Sequence, residues 1–138
     1  MRRYLPSFAE LVDRMCIVLL KEVFIPENRE AYRKELNDIL YDIDEELKDK
    51  PLDGEAVRAI AVLMLTNRFI WENESKARKG GAEQDKLLKL THSINGVRNT
   101  AKNVISKSRG ERVDLKIDCF AAEFGEEYGN WNVFSKEN

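Results

Sequence analysis

The stretch THSINGVRNTAKN, residues 91–103, carries the side chains best suited to holding a ligand. His92, Asn95, Asn99, Lys102 and Ser106 recur at alternating three- and four-residue steps, which places them on one stripe of a helix, with Arg98 and Asn103 alongside. No acidic residue occurs from Lys86 to Arg109, while Lys86, Lys89, Arg98, Lys102, Lys107 and Arg109 are basic. A guanidinium offers phosphate a planar fork of donors, and an ammonium adds a point charge. Asparagine amides both donate and accept, as a base edge or a ribose requires. Gly96 lets a ligand or a second helix come close to the backbone. This inventory fits an anionic, nucleotide-like ligand. The alternatives are a polar helix–helix interface in an oligomer, with asparagines pairing across it, and an ordinary surface with no functional role. His92, the single histidine, is read as a hydrogen-bonding contact and not as a catalyst.

Two further residues can join that face. Arg68 and Trp71, which follow the most apolar part of the preceding helix, supply a cation and a stacking surface. If the two faces meet, Arg68, Trp71, Asn95, Arg98, Asn99 and Lys102 form one polar cavity with an aromatic edge. The plainer reading is an amphipathic helix leaving the core.

A different chemistry is offered by Glu35, Asp38, Asp42 and Glu45, spaced i, i+3, i+7 and i+10 on one helical face. All-helical nucleotide pyrophosphohydrolases of the MazG type bind magnesium with such acids, pairing an ExxE-type cluster on one helix with an ExxD cluster on the next. Glu35 to Asp38 has the second form, but the following helix does not complete the set. The acids also lie opposite an apolar seam, where a solvated face belongs. No metal or other cofactor is therefore expected; Glu35, Asp38 and Asp42 are the metal ligands of the alternative, enzymatic reading.

These side chains need helices to position them, and the apolar periodicity supplies four. Pro6-Ser7 with Glu10 forms a capping box ahead of a helix over 7–25 that is apolar nearly all round, and Pro26 ends it. Such a helix is central in its domain or buried in an oligomer. Tyr32, Leu36, Ile39, Leu40, Ile43 and Leu47 form the stripe of a second helix over 27–49. Asp53-Gly54 caps a third over 54–79, whose uninterrupted run Ala59–Leu65 marks it as the innermost. Leu87, Leu90, Ile94, Val97, Ala101 and Val104 form the seam of a fourth over 82–109, closed by Gly110. A short helix over 114–125 and an aromatic tail over 126–138, docked on something apolar, complete the chain. The Asp13-Arg14 pair is assigned to oligomer contacts or helix–helix packing. The expected fold is all-α, a single domain spanning 1–138.

The 138 residues suffice for one core. A formal net charge of −2 argues against a general nucleic-acid binder, which carries a basic excess. Cys16 and Cys119 each sit in apolar surroundings and are expected to be reduced, buried thiols. The apolar run from Met15 to Leu20 is far short of the roughly 20 residues that span a membrane, so a soluble, cytoplasmic protein is expected.

FAELVDRMCIVLLKE at the front, with LTHSINGVRNTAKN and RVDLKIDCFAAEF later, resembles short helical proteins of bacteriophages and their bacterial relatives. That group carries no firm activity. The resemblance implies a viral context, in which small helical oligomers can sequester a cyclic or ADP-ribose-type nucleotide signal of host immunity without turning it over. The expectation is thus a non-catalytic homo-oligomer in the host cytoplasm that binds an anionic nucleotide through His92, Asn95, Arg98, Asn99 and Lys102, with Arg68 and Trp71 beside them. The alternatives are a metal-dependent nucleotide pyrophosphohydrolase, and an inhibitor whose fourth helix docks on a host protein.

Overall fold

Ser7 opens the first helix as its sequence predicts, its Oγ accepting the Glu10 N–H at 3.2 Å. Helix α1 (Phe8–Phe24) stops before Pro26, which has no N–H to extend the ladder, and a 3-10 turn (Pro26–Asn28) leads into α2 (Arg29–Asp49). Asp53 caps α3 (Gly54–Arg78) by accepting the Ala56 N–H at 2.8 Å. That bond, and then one from the Ser108 hydroxyl, hold the Asp53 carboxyl below its ordinary pKa. Helix α4 (Gln84–Ser108) follows. The structure, a computed structural model, describes residues 5–81, 84–112, 131, 133 and 134. The expected helix over 114–125, Cys119 and most of the tail lie outside the described residues. Every described helix belongs to one all-α domain, and none is long and apolar enough to cross a membrane.

The helices pack as two pairs, α1 with α2 and α3 with α4, and α1 touches all three others. Phe8, Val12 and Cys16 of α1 meet Ile39 and Ile43 of α2, Ala59 and Leu63 of α3, and Val97, Ala101 and Ile105 of α4 in one core. The innermost helix is therefore α1, and the expectation for α3 is corrected. Leu65 is 57 % exposed and Val57 55 %, although Ala59, Val62 and Leu63 are buried. An uninterrupted apolar run points in every direction around a helix, and only the face at i, i+3, i+4 and i+7 meets the neighbours. On α2, Ile39 and Ile43 are buried and Tyr32, Leu36 and Leu47 pack at the edge of the core, as their stripe predicts, whereas Leu40 of the same stripe is exposed. Trp131 and Phe134 of the tail also pack against the core, Trp131 edge-on to Phe69 at 5.4 Å and Phe134 beneath the Arg58 guanidinium at 4.9 Å.

The C-terminal end of α4 ties three other helix ends together. Gly110 (φ 69°) lets the chain turn in the left-handed region, so that the Gly110 N–H reaches Lys107 O and the Glu111 N–H reaches Ser106 O. The turn aims Glu111 at α1, where both carboxylate oxygens accept the Phe8 N–H at 3.1 Å. Arg109 donates to Lys50 O at 2.6 Å and Glu46 O at 3.0 Å, satisfying carbonyls that the end of α2 leaves open, and its guanidinium lies 4.2 Å above the Phe8 ring. Ser108 donates to Asp53 at the start of α3. Arg109, counted among the basic residues of the ligand face, is thus a fastening between helices.

Candidate functional site

The weak helix formers of α4 have two separate tasks. Ser93, Gly96 and Ser106 are buried, small residues that admit close packing, and α3 supplies Ala59, Thr66 and Ala77 on its buried face. The Ser93 hydroxyl donates back to the Lys89 carbonyl and Thr100 to Gly96, so neither needs an outside partner. Asn95, Arg98, Asn99 and Lys102 are half-buried and line clefts.

Those clefts are two, and the single cavity expected from the sequence is divided. The larger, about 380 Å³, lies where α1, α3 and α4 meet. Trp71 and Asn67 come from α3, Asn95 and Arg98 from α4. Ile17 and Leu20 of α1, with Ile70, form its apolar wall, and Glu74 is its one carboxylate. The smaller, about 80 Å³, opens near the start of α1 and is lined by Asn99, Lys102 and Ser106 with Ser7 and Glu10. The reason for the division is displacement along the helix axis. Asn95 and Arg98 sit one turn from Asn99 and Lys102, far enough along α4 for a different part of α1 to face them.

Two expected contacts lie elsewhere. His92 is exposed and lines neither cleft. Arg68 turns away, with its guanidinium 4.4 Å above the Phe24 ring and paired with Glu72 at 2.8 Å. Phe24 in turn stacks against Trp71 at 6.2 Å, so Arg68 supports the tryptophan from behind and does not face a ligand.

Arg98 is the central correction. It is not a free cation: its Nε donates to Asp13 Oδ1 at 3.1 Å and its Nη2 to Asp13 Oδ2. Asn67 Nδ2 donates to the same Oδ1 at 2.9 Å, and Lys102 Nζ stands 3.9 Å from Oδ2. Asp13 is 6 % exposed, so its charge is withdrawn from water and needs these partners. The network spans α1, α3 and α4. Asp13 was readable as buried, because Ala9, Asp13, Cys16 and Leu20 fall on one face at i, i+4, i+7 and i+11. An acid at a core position of α1 calls for a cation, and α4, free of acids from Lys86 onward, offers several. Arg14, its sequence neighbour, points the other way and pairs with Glu35 at 2.9 Å.

Cys16, one turn from Asp13, shares this environment. Burial first, and the Asp13 charge second, push its thiol up to about 12 from an ordinary 9.0. Because the folded value is raised, its contribution to stability is whole below pH 9 and declines as pH rises towards 12. The expected result is that Cys16 resists iodoacetamide at pH 8.5 in the native protein and reacts once denatured, read by peptide mass mapping. Equal labelling rates in both states would overturn the assignment.

The acids of the alternative metal reading are placed on the outer face of α2. Glu35 is paired with Arg14, Asp38 and Asp42 are exposed, and Glu45 pairs with Lys48. Among the described residues no three His, Cys, Asp or Glu side chains converge on a point that a metal ion could share. Comparison with protein families, with curated proteins and with solved structures finds no match to this chain.

Proposed function

We propose that this protein binds a nucleotide-like ligand of low negative charge in the cleft between α1, α3 and α4, and holds it unchanged. The observation that carries the reading is the joint placement of Trp71, Asn67, Asn95 and Arg98 over an apolar wall in one opening of about 380 Å³. That size lies within the roughly 300–1,000 Å³ range of small-molecule sites, and the mixture of apolar walls with a few placed polar groups is their usual composition. Trp71 and the isoleucines supply surfaces for a base, and the two amides supply partners for its edge. Arg98 keeps donors beyond the two spent on Asp13, since a guanidinium has five.

The Asp13 pairing narrows the ligand. With Arg98 largely neutralised and Glu74 at the cleft, a triphosphate has no compensating charge, whereas a cyclic phosphodiester carries a single negative charge. Cyclic nucleotides are therefore the first class to test, in keeping with the immune-signal ligands that the phage resemblance suggests. The side chains lining this cleft are two amides, an indole, a guanidinium, one carboxylate and apolar groups, a set suited to holding a base and a phosphodiester. Self-association through α1 has less surface than its sequence offered, because α1 spends most of its apolar faces inside the chain. Leu19, Val23 and Phe24 are the large apolar side chains of α1 that remain exposed for a second copy.

A thermal-shift titration with cyclic mononucleotides tests the reading. A ligand at about 100 times its Kd adds roughly 2.7 kcal/mol, a rise of several degrees. Asn95→Ala is the control to use, because Asn95 lines the cleft outside the Asp13 network. The expected outcome is a shift that Asn95→Ala abolishes while nucleotide is recovered intact. Product formation, or a shift indifferent to Asn95, would overturn it.

A further inference from the structure

We infer that Glu74 makes the cleft selective for a guanine base. This rests on the nucleotide-binding reading and concerns the same cleft. Asn67, Trp71 and Glu74 fall at i, i+4 and i+7 of α3, so one helical face presents an amide, an indole and a carboxylate in succession. Glu74 is exposed and makes no hydrogen bond or ion pair with a described residue, although Arg68 and Glu72 beside it are paired with each other. It is the one carboxylate lining the cleft.

A carboxylate left open in a site for an anion is a liability unless the ligand brings donors to it. It repels phosphate from its own end of the cleft, and it offers two in-plane acceptor oxygens. Guanine is the common base that meets both oxygens at once, because N1–H and the exocyclic N2–H₂ project side by side. Adenine sets its amino group beside the N1 lone pair, and cytosine sets its own beside N3, so each turns an acceptor towards one carboxylate oxygen. Uracil has one donor between two carbonyls. With guanine on Glu74, Trp71 is placed to cover the ring. Asn95, across on α4, has an amide to donate to O6 or N7, and Arg98 is the one cation lining the cleft that can meet the phosphodiester.

The test is calorimetric titration of the full-length protein with cyclic GMP and cyclic AMP, repeated on Glu74→Gln. Glu74 is exposed, so the variant is expected to keep its melting temperature, which is measured alongside. A bidentate edge contact discriminates by about tenfold or more. The expected result is cyclic GMP at least about tenfold tighter than cyclic AMP, with the ratio collapsing towards one in Glu74→Gln. Equal affinities in the native protein, or a preference that survives Glu74→Gln, would overturn the guanine assignment and leave the binding reading standing. Failure of both nucleotides to bind would overturn the two together.

Discussion

Asp13→Ala is expected to cost about 3 kcal/mol, lowering the melting temperature by roughly 10 °C. The residue is buried and accepts from Arg98 and Asn67 while Lys102 stands near, so its loss strands a guanidinium and an amide in a region closed to most water. Removing one member of a fully buried ion pair costs about 3–5 kcal/mol. Arg98 keeps 23 % of its side chain accessible and can partly rehydrate, which puts the expected value at the lower end. The pairing makes a sharper claim than destabilisation alone. If the cost arises from the stranded charge, then Arg98→Met in the Asp13→Ala background recovers part of the stability, and a double-mutant cycle shows coupling well above 1 kcal/mol. Chemical denaturation of the four proteins measures this. Additive losses would mean that Asp13 and Arg98 act independently, and the network across α1, α3 and α4 would have to be abandoned.

Phe8→Ala is expected to be at least as damaging, at about 4 kcal/mol. Phe8 is 1 % exposed, at the point where α1 begins, and it sits under the Arg109 guanidinium that closes the end of α2. The substitution opens a cavity in the core and also removes the platform that holds Arg109 against the Lys50 and Glu46 carbonyls. Glu111→Gln is the contrasting variant. Its side chain still accepts the Phe8 N–H through one oxygen but loses the charge facing the start of α1, so about 1 kcal/mol is expected. Equal losses in the two variants would show that the end clamp rests on the carboxylate and not on the ring.

The division between what could be read along the chain and what could not follows from the range of the forces involved. Helix starts are local. Ser7 and Asp53 cap the N–H groups three residues on, and Pro26 and Gly110 stop or turn the backbone by their own geometry, so four helices and these boundaries are legible, while the 3-10 turn that delays the start of α2 to Arg29 is not. Periodicity likewise revealed that Asn95 and Arg98 share a side of α4, and that the acids of α2 face outward.

What periodicity lacks is the identity of the neighbour. It could not tell that Leu65 would be exposed while Leu63 is buried, because an apolar run gives no direction. Nor could it tell that Arg98 would meet Asp13, 85 positions away in the chain, and so stop being a free cation. The acid-free stretch from Lys86 to Arg109 is unusual in composition, and its charges are divided in the folded chain among the Asp13 network, the α2 carbonyls and the cleft. Charge and hydrogen bonding are satisfied pairwise through space. Residue type and position along the chain fix which groups need partners; packing selects the partners they take, and with them which polar groups still line the clefts.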